Sequence, residues 1–116
     1  MNNLTPPTFE IDDFTNWQKY LEEEGYVVIK DILSLEEHDT VFNLFRNDIN
    51  SVSSAFDILD SSTWKIENTP LMYGKGMAVF NGFGQSDFMW KLRTNPNIQN
   101  IFKKVHNCEE LVTSLD

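Results

Sequence analysis

A shortage of strand-forming segments limits what this sequence can fold into. Only three short stretches have the composition of a strand: Tyr26 to Ile29, Met77 to Phe80 and Leu111 to Leu115. Three short strands are too few to close a sheet, and a strand at Leu111 to Leu115 would need a partner for its edge. We therefore expect a mainly helical chain that associates with itself, or with a second chain that completes the sheet at Leu111 to Leu115.

Helical periodicity accounts for most of the first half. Apolar residues recur at helical spacing from Asp13 to Glu24, and Gly25 follows as a stop signal. Ser34 and Glu37 form a capping box that predicts the start of a second helix. The apolar face of this second helix contains His38, Val41, Phe42, Phe45 and Ile49.

Two more helices are indicated in the second half. Ser86 is a suitable N-cap for a helix over Asp87 to Arg93, and Asn95-Pro96 is a suitable start for the next helix. That last helix should end near Asn107. It is the clearest amphipathic helix in the chain, because its apolar residues fall at i, i+3, i+4 and i+7.

The chain is predicted to contain a leader and one domain. Residues 1–12, which include Pro6-Pro7, show no period and are expected to be a flexible leader. Residues 13–116 have the length of one compact domain. Within them, residues 51–70 are rich in Ser, Asp and Asn. We expect an ordered loop there, since the segment also carries scattered apolar anchors at Phe56, Ile58, Leu59 and Trp64.

The charge is concentrated in the first half of the chain. The net charge is -9, and residues 1–58 hold all of the excess, with twelve acidic and three basic side chains. Such a surface repels a phosphate backbone, so nucleic acid is not an expected partner. We expect no membrane partner either, because no apolar run approaches the roughly 18 residues of a span. With a single cysteine, Cys108, and no secretory signal, a cytoplasmic location is expected.

Four of the five glycines lie in one segment, at Gly74, Gly76, Gly82 and Gly84. Their spacing does not match a phosphate-binding loop, because no Lys and hydroxyl pair follows the second glycine of the pattern. It does not match the dinucleotide pattern either. We interpret the glycines as backbone turns, with an anion bound at the start of the Ser86 helix as the alternative.

Residues able to hold a metal are few. Neither His38 nor His106 begins a His-x-Asp pair, and a site with two His ligands would have to use both. We interpret His38 as a hydrogen-bonded core residue and His106 as a partner of a helix C-terminus. Cys108 is interpreted as an inert thiol. The sequence therefore predicts no catalytic residue and no metal ligand in this chain.

Two motifs resemble a known family. The stretch "EEGYVVIKDILSLEE" and the pattern G-x-G-x-S-x-F-M-W-x-x-R-x-N-P, which runs from Gly82 to Pro96, are similar to the N-terminal part of the phytanoyl-CoA dioxygenase-like family. The resemblance is strongest to its viral, microbial and fungal branch. It implies an α+β fold: a mainly helical N-terminal portion with a few short strands of an incomplete double-stranded β-helix, or jelly roll.

The same resemblance implies a function. Members of the family hydroxylate a substrate with Fe(II), 2-oxoglutarate and O2, and they bind iron through a His-x-Asp pair and a distant His. Those ligands have no counterpart in this chain, so we expect it to bind no cofactor alone. The expected function is that of a truncated or split dioxygenase-like protein, with a small acidic protein-interaction module as the alternative. The sharper motif suggests four residues that line a pocket: Lys75, Ser86, Trp90 and Arg93.

Overall fold

The computed structural model describes residues 5–70, 76–78 and 81–114. Within these residues the fold is α+β and mostly helical, with two short parallel strands. In chain order the elements are β1 (Thr8–Phe9), α1 (Phe14–Glu24), β2 (Val28–Ile29), α2 (Leu35–Val52), α3 (Asp87–Arg93) and α4 (Pro96–His106). Single turns of 3-10 helix occur at Ser61–Thr63, Ile66–Asn68 and Phe83–Gln85.

The described residues group into two compact units. The first comprises the described residues of Met1–Ser34 together with Pro96–Leu111. The second comprises the described residues of Leu35–Asn95 together with Val112–Asp116. The first unit therefore contains α1, α4 and both strands, and the second contains α2, α3 and the long loop between them.

The two strands join sequence positions that are far apart in the first unit. Thr8 pairs with Val28, Phe9 pairs with Ile29, and the Lys30 N–H donates to the Phe9 carbonyl at 2.9 Å. The strand predicted from Tyr26 to Ile29 is thus confirmed over its last two residues. Strand β1 lies in the stretch that we predicted as a leader, where no local pattern indicated it.

Helix α1 begins and ends where the sequence predicted. Gly25 adopts the left-handed conformation, with φ of 79°, and its N–H donates to the Leu21 carbonyl at 2.9 Å. Glycine adopts this conformation without the strain that a Cβ would cause. The turn that follows α1 leads the chain directly into β2.

Trp17 forms the centre of the first unit. Its side chain is completely buried, and its ring meets the ring of Phe14 edge to face at 5.0 Å. The indole N–H donates to the Ile11 carbonyl at 3.3 Å, which gives the buried polar atom a partner. The helix is therefore fixed by apolar burial together with one hydrogen bond to the segment before it.

Polar contacts connect the ends of the two strands to each other and connect α1 to the segment before β2. The Lys30 ammonium lies 2.6 Å from the Glu10 carboxylate, and this hydrogen bond raises the pKa of Lys30. The Tyr20 hydroxyl donates to the Tyr26 hydroxyl at 3.0 Å. This hydrogen bond raises the pKa of Tyr20 to about 12, because an ionised Tyr20 could no longer donate it.

Helices α2 and α3 pack against each other in the second unit. The rings of Phe45 and Phe88 meet edge to face at 5.0 Å. Ile49, one turn further along α2, is buried with only 7% of its surface exposed. The apolar face predicted for α2 is correct at these positions. His38 is a correction, because its side chain is 67% exposed and lies beside Asp39 rather than in the core.

The cap of α3 differs from the prediction. Ser86 occupies the N-cap position, but its hydroxyl makes no capping hydrogen bond. The Asp48 carboxylate on α2 accepts instead from the Phe88 N–H at 2.9 Å. A carboxylate suits this position because the first turn of a helix carries unpaired N–H groups and a partial positive charge. Ser86 therefore occupies the predicted N-cap position, while the hydrogen bond from the first turn goes to Asp48.

We expect Asp48→Ala to lower the free energy of unfolding by about 1 kcal/mol, since the substitution removes both the cap and a negative charge near the helix N-terminus. Urea denaturation followed by circular dichroism measures this loss. The matched control is Asp39→Ala on the same helix, where the side chain is 81% exposed and the expected change is within about 0.5 kcal/mol. Equal losses in the two variants would contradict the proposed cap.

In the part of the long loop before residue 71, hydrogen bonds between side chains and backbone give an ordered structure, as predicted for residues 51–70. The Thr63 hydroxyl donates to the Asp60 carbonyl at 2.7 Å and accepts from the Asp57 N–H at 2.9 Å. The Asn68 amide donates to the Thr63 carbonyl, and the Ser53 hydroxyl donates to the Asn68 carbonyl. The anchors are less buried than expected, since Leu59 and Trp64 are more than half exposed.

Two predicted strands lie partly outside the described residues. Met77 forms an isolated bridge and Ala78 has no regular structure, whereas residues 79–80 are not described. Residues 111–114 have no regular structure, and Leu115 lies outside the described residues. Association at Leu111 to Leu115 therefore stays a prediction.

No helix in the described ranges is long and apolar enough to cross a membrane.

Candidate functional site

The residues that the sequence suggested as pocket-lining lie at α3, except Lys75, which is outside the described residues. The Arg93 guanidinium lies 5.3 Å from the centre of the Trp90 ring and donates to the Gly84 carbonyl at 2.6 Å. The Trp90 indole N–H donates to the Gln85 side chain at 3.2 Å. The structure thus brings Trp90 and Arg93 together and uses both to hold the Phe83–Gln85 turn against α3.

Ser86 joins this turn to α3, and its hydroxyl oxygen is buried without a hydrogen-bond partner in the described part of the chain. An anion at this helix start, which was the alternative interpretation of the glycine segment, would compete with the Asp48 carboxylate, because that carboxylate already accepts from an amide of the first turn. A lining role for Lys75, Ser86, Trp90 and Arg93 stays a prediction.

The glycines of this segment act in backbone turns where they are described. Gly76 has a φ of 110° and Gly82 a φ of 67°, both in the region that favours glycine. Gly82 directly precedes the Phe83–Gln85 turn, so its conformation sets the direction in which the chain enters α3. Gly74 lies outside the described residues.

Metal-ligating side chains do not cluster in the described ranges. No three His, Cys, Asp or Glu residues there lie close enough to hold one ion. The His38 ring stacks on Phe42 at 6.4 Å, and the His106 ring stacks on Phe102 at 6.3 Å. The described residues therefore do not fit an Fe(II) centre, and we derive no chemical step through one.

The described residues of the first unit form an open cavity of about 540 Å³, which we call the apolar groove. The residues that line it all carry aliphatic or aromatic side chains: Leu21, Val27, Val28, Ile29, Ile32, Ile98, Ile101, Phe102 and Val105. This lining suits the binding of apolar groups, and its described residues carry no acid, base or nucleophile.

Three elements form the apolar groove. Leu21 belongs to the last turn of α1, β2 contributes its two residues, and α4 contributes one complete face. That α4 face is the i, i+3, i+4, i+7 pattern found in the sequence. Periodicity identified the face but not its exposure, because a buried face and an open groove require the same spacing. Phe102 is 51% exposed in the structure.

Besides lining the groove together with α1, helix α4 contacts α1 through a cation and an aromatic ring. The Lys104 ammonium lies 4.6 Å from the centre of the Phe14 ring, an attractive distance between a cation and an aromatic face. Nearby, the Cys108 thiol donates to the Glu110 carbonyl at 3.2 Å. These contacts fix the C-terminal end of α4 and with it one end of the apolar groove.

Comparison with known proteins gives one informative similarity. No protein-family model matches the chain, and no solved structure matches it. The Ava biosynthesis cluster protein O of Aspergillus versicolor is 25% identical over 105 residues, which cover 90% of this chain and 34% of that protein. The chain therefore spans about a third of the length of this relative. A similarity of this size leaves the resemblance to the phytanoyl-CoA dioxygenase-like family a prediction.

Proposed function

We propose that these residues form the helical supporting part of a phytanoyl-CoA dioxygenase-like protein and are not catalytic as an isolated chain. The helices and short strands would be the front of an incomplete double-stranded β-helix, or jelly roll. The reaction of the family is hydroxylation with Fe(II), 2-oxoglutarate and O2. In this proposal the residues that bind iron and 2-oxoglutarate are supplied from outside residues 1–116.

The observation that carries the proposal is the small number of buried apolar side chains. Among the described residues, Trp17 and Ile49 are the two large apolar side chains that are buried. Leu35, Ile66 and Val112 are at least 87% exposed. A self-sufficient domain of this size hides well over half of the surface of its unfolded chain, so exposed apolar groups of this kind favour a chain that works against a partner.

Two further findings support the proposal. The motif from Gly82 to Pro96, which is the more specific part of the resemblance, builds a defined turn and helix through Arg93 and Trp90. In addition, the relative from Aspergillus versicolor is about three times as long as the matched segment. A supporting part is expected to correspond to only a fraction of a longer protein.

The direct test is calorimetric titration of the isolated chain with Fe(II), with and without 2-oxoglutarate, under anaerobic conditions. We expect no saturable binding that depends on 2-oxoglutarate. His38→Ala and His106→Ala are matched controls, because any weak binding through an exposed histidine will disappear in one of them. Tight Fe(II) binding that requires 2-oxoglutarate would refute the proposal, since the chain would then hold the site itself.

A second candidate function is a small acidic protein-interaction module derived from the same fold. The acidic first half and the apolar groove favour it. The two functions differ when the chain is mixed with a polypeptide that carries a His-x-Asp pair and a later His. If conversion of 2-oxoglutarate to succinate requires this chain, the first function, a supporting part of an enzyme, is favoured. If the two polypeptides bind without turnover, the interaction module is favoured.

A further inference from the structure

Strand β2 has a free edge in the first unit. The Lys30 N–H bonds to β1 through the Phe9 carbonyl. Since backbone groups alternate in direction along a strand, the N–H and C=O of Ile29 point away from β1. Among the described residues the sheet contains β1 and β2 alone, so no described strand pairs with that edge.

This free edge is continuous with the apolar groove. Val28 and Ile29 form β2 and also line the groove, and the face of α4 forms another part of the lining. An extended segment that pairs with Ile29 would direct every second side chain to the same side. Aliphatic side chains on that side would enter the groove and remove its lining from water.

A polypeptide suits this surface better than a small molecule does. The volume of about 540 Å³ is within the range of small-molecule sites, which is roughly 300–1,000 Å³. Such sites, however, carry a few polar groups that orient the ligand, and every side chain in this lining is apolar. The N–H and C=O of Ile29 can supply the missing hydrogen bonds, and their arrangement along a strand edge matches an extended backbone.

The charge of the first unit selects among possible polypeptides. The sequence of this unit contains nine acidic and four basic side chains, a net charge of -5. A second copy would bring the same negative charge to the interface, which is unfavourable. A segment flanked by Lys or Arg would be attracted.

We infer that the apolar groove and the free edge of β2 form one docking surface for an extended aliphatic segment of a separate polypeptide, flanked by basic residues. The inference rests on the proposed function, in which these residues work against a partner, and it identifies the surface where that partner binds. The partner adds a strand beside Ile29 and fills the groove with alternate side chains.

The test is titration of the isotope-labelled chain with a short soluble peptide in which Thr alternates with Val or Ile and Lys stands at both ends. We expect saturable shifts of the groove amides in nuclear magnetic resonance spectra, and slower hydrogen exchange of the Ile29 amide in the complex. A peptide with Glu in place of the two Lys residues should bind more weakly. Phe102→Ser should weaken binding about tenfold, because it removes a half-exposed apolar side chain from the lining.

Ile66→Ser is the matched control, since Ile66 is 94% exposed and belongs to the second unit. The affinity of the Ile66→Ser variant for the peptide should equal that of the unsubstituted protein. Absence of saturable shifts at millimolar peptide would overturn the inference, and so would groove shifts without protection of Ile29. Protection of Ile29 that rises with protein concentration alone would identify a second copy as the occupant instead. The iron titration is independent of all these results, so either proposal can fail separately.

Discussion

Trp17→Ala should lower the free energy of unfolding of the first unit by about 3–5 kcal/mol. Trp17 is the one completely buried large side chain among the described residues, and it contacts Phe14 and the Ile11 carbonyl. Its removal leaves a cavity and an unpaired carbonyl at the same place. Because small domains are stable by only about 5–15 kcal/mol, we expect α1 to lose most of its amide protection in hydrogen-exchange measurements.

Trp64→Ala is the control for this prediction. The Trp64 ring is 57% exposed, and its indole N–H donates to the Asp57 carbonyl at 2.9 Å. This substitution removes the same side chain from a position with little buried area, so we expect a loss of about 1 kcal/mol. Urea denaturation compares both variants with the unsubstituted protein. Similar losses for Trp17 and Trp64 would show that the core of the first unit lies elsewhere.

The sequence predicted the helices well because their signals are local. Gly25 ends α1 through its own backbone conformation, and Pro96 begins α4 because its fixed φ and missing N–H suit the first turn. Neither signal depends on the rest of the fold. The mainly helical character and the bounds of α1, α3 and α4 therefore followed from composition and short-range pattern, whereas the α+β class was what the family resemblance implied.

The predictions failed where distant residues decide the structure. The acceptor for the first turn of α3 comes from Asp48, forty positions before Phe88, and no local pattern connects the two residues. Strand β1 exists because Phe9 meets Ile29 in space, and its two residues have too little sequence to show a period. His38 follows the spacing of an apolar face, yet it lies in the first turn of α2, where its side chain is exposed to solvent.

The candidate site was only partly visible in the sequence. The motif residues Trp90 and Arg93 were found, and the structure shows them stabilising the turn before α3. The apolar groove was not found as a site, although both of its main components, the Tyr26 to Ile29 stretch and the face of α4, were identified. Apolar spacing reports that a face avoids water, but whether that face is already covered depends on tertiary packing.

Ile49→Ala should lower the free energy of unfolding of the second unit by about 2–4 kcal/mol. Ile49 is 7% exposed, and it lies on α2 one turn after Phe45, which contacts Phe88 of α3. Truncation removes buried apolar surface and leaves a cavity that the helices can only partly fill. Since Asp48 stands next to Ile49 and caps α3, we also expect the amides of α3 to lose protection in hydrogen-exchange measurements.

Ile66→Ala is the matched control for Ile49→Ala, because Ile66 is in the same unit and is 94% exposed. The same three carbon atoms are removed, but they contribute almost no buried area, so the expected change is within about 0.5 kcal/mol. Urea denaturation followed by circular dichroism measures both variants. A large loss for Ile66→Ala would mean that this exposed side chain is covered in solution, and the absence of a loss for Ile49→Ala would contradict the packing of α2 on α3.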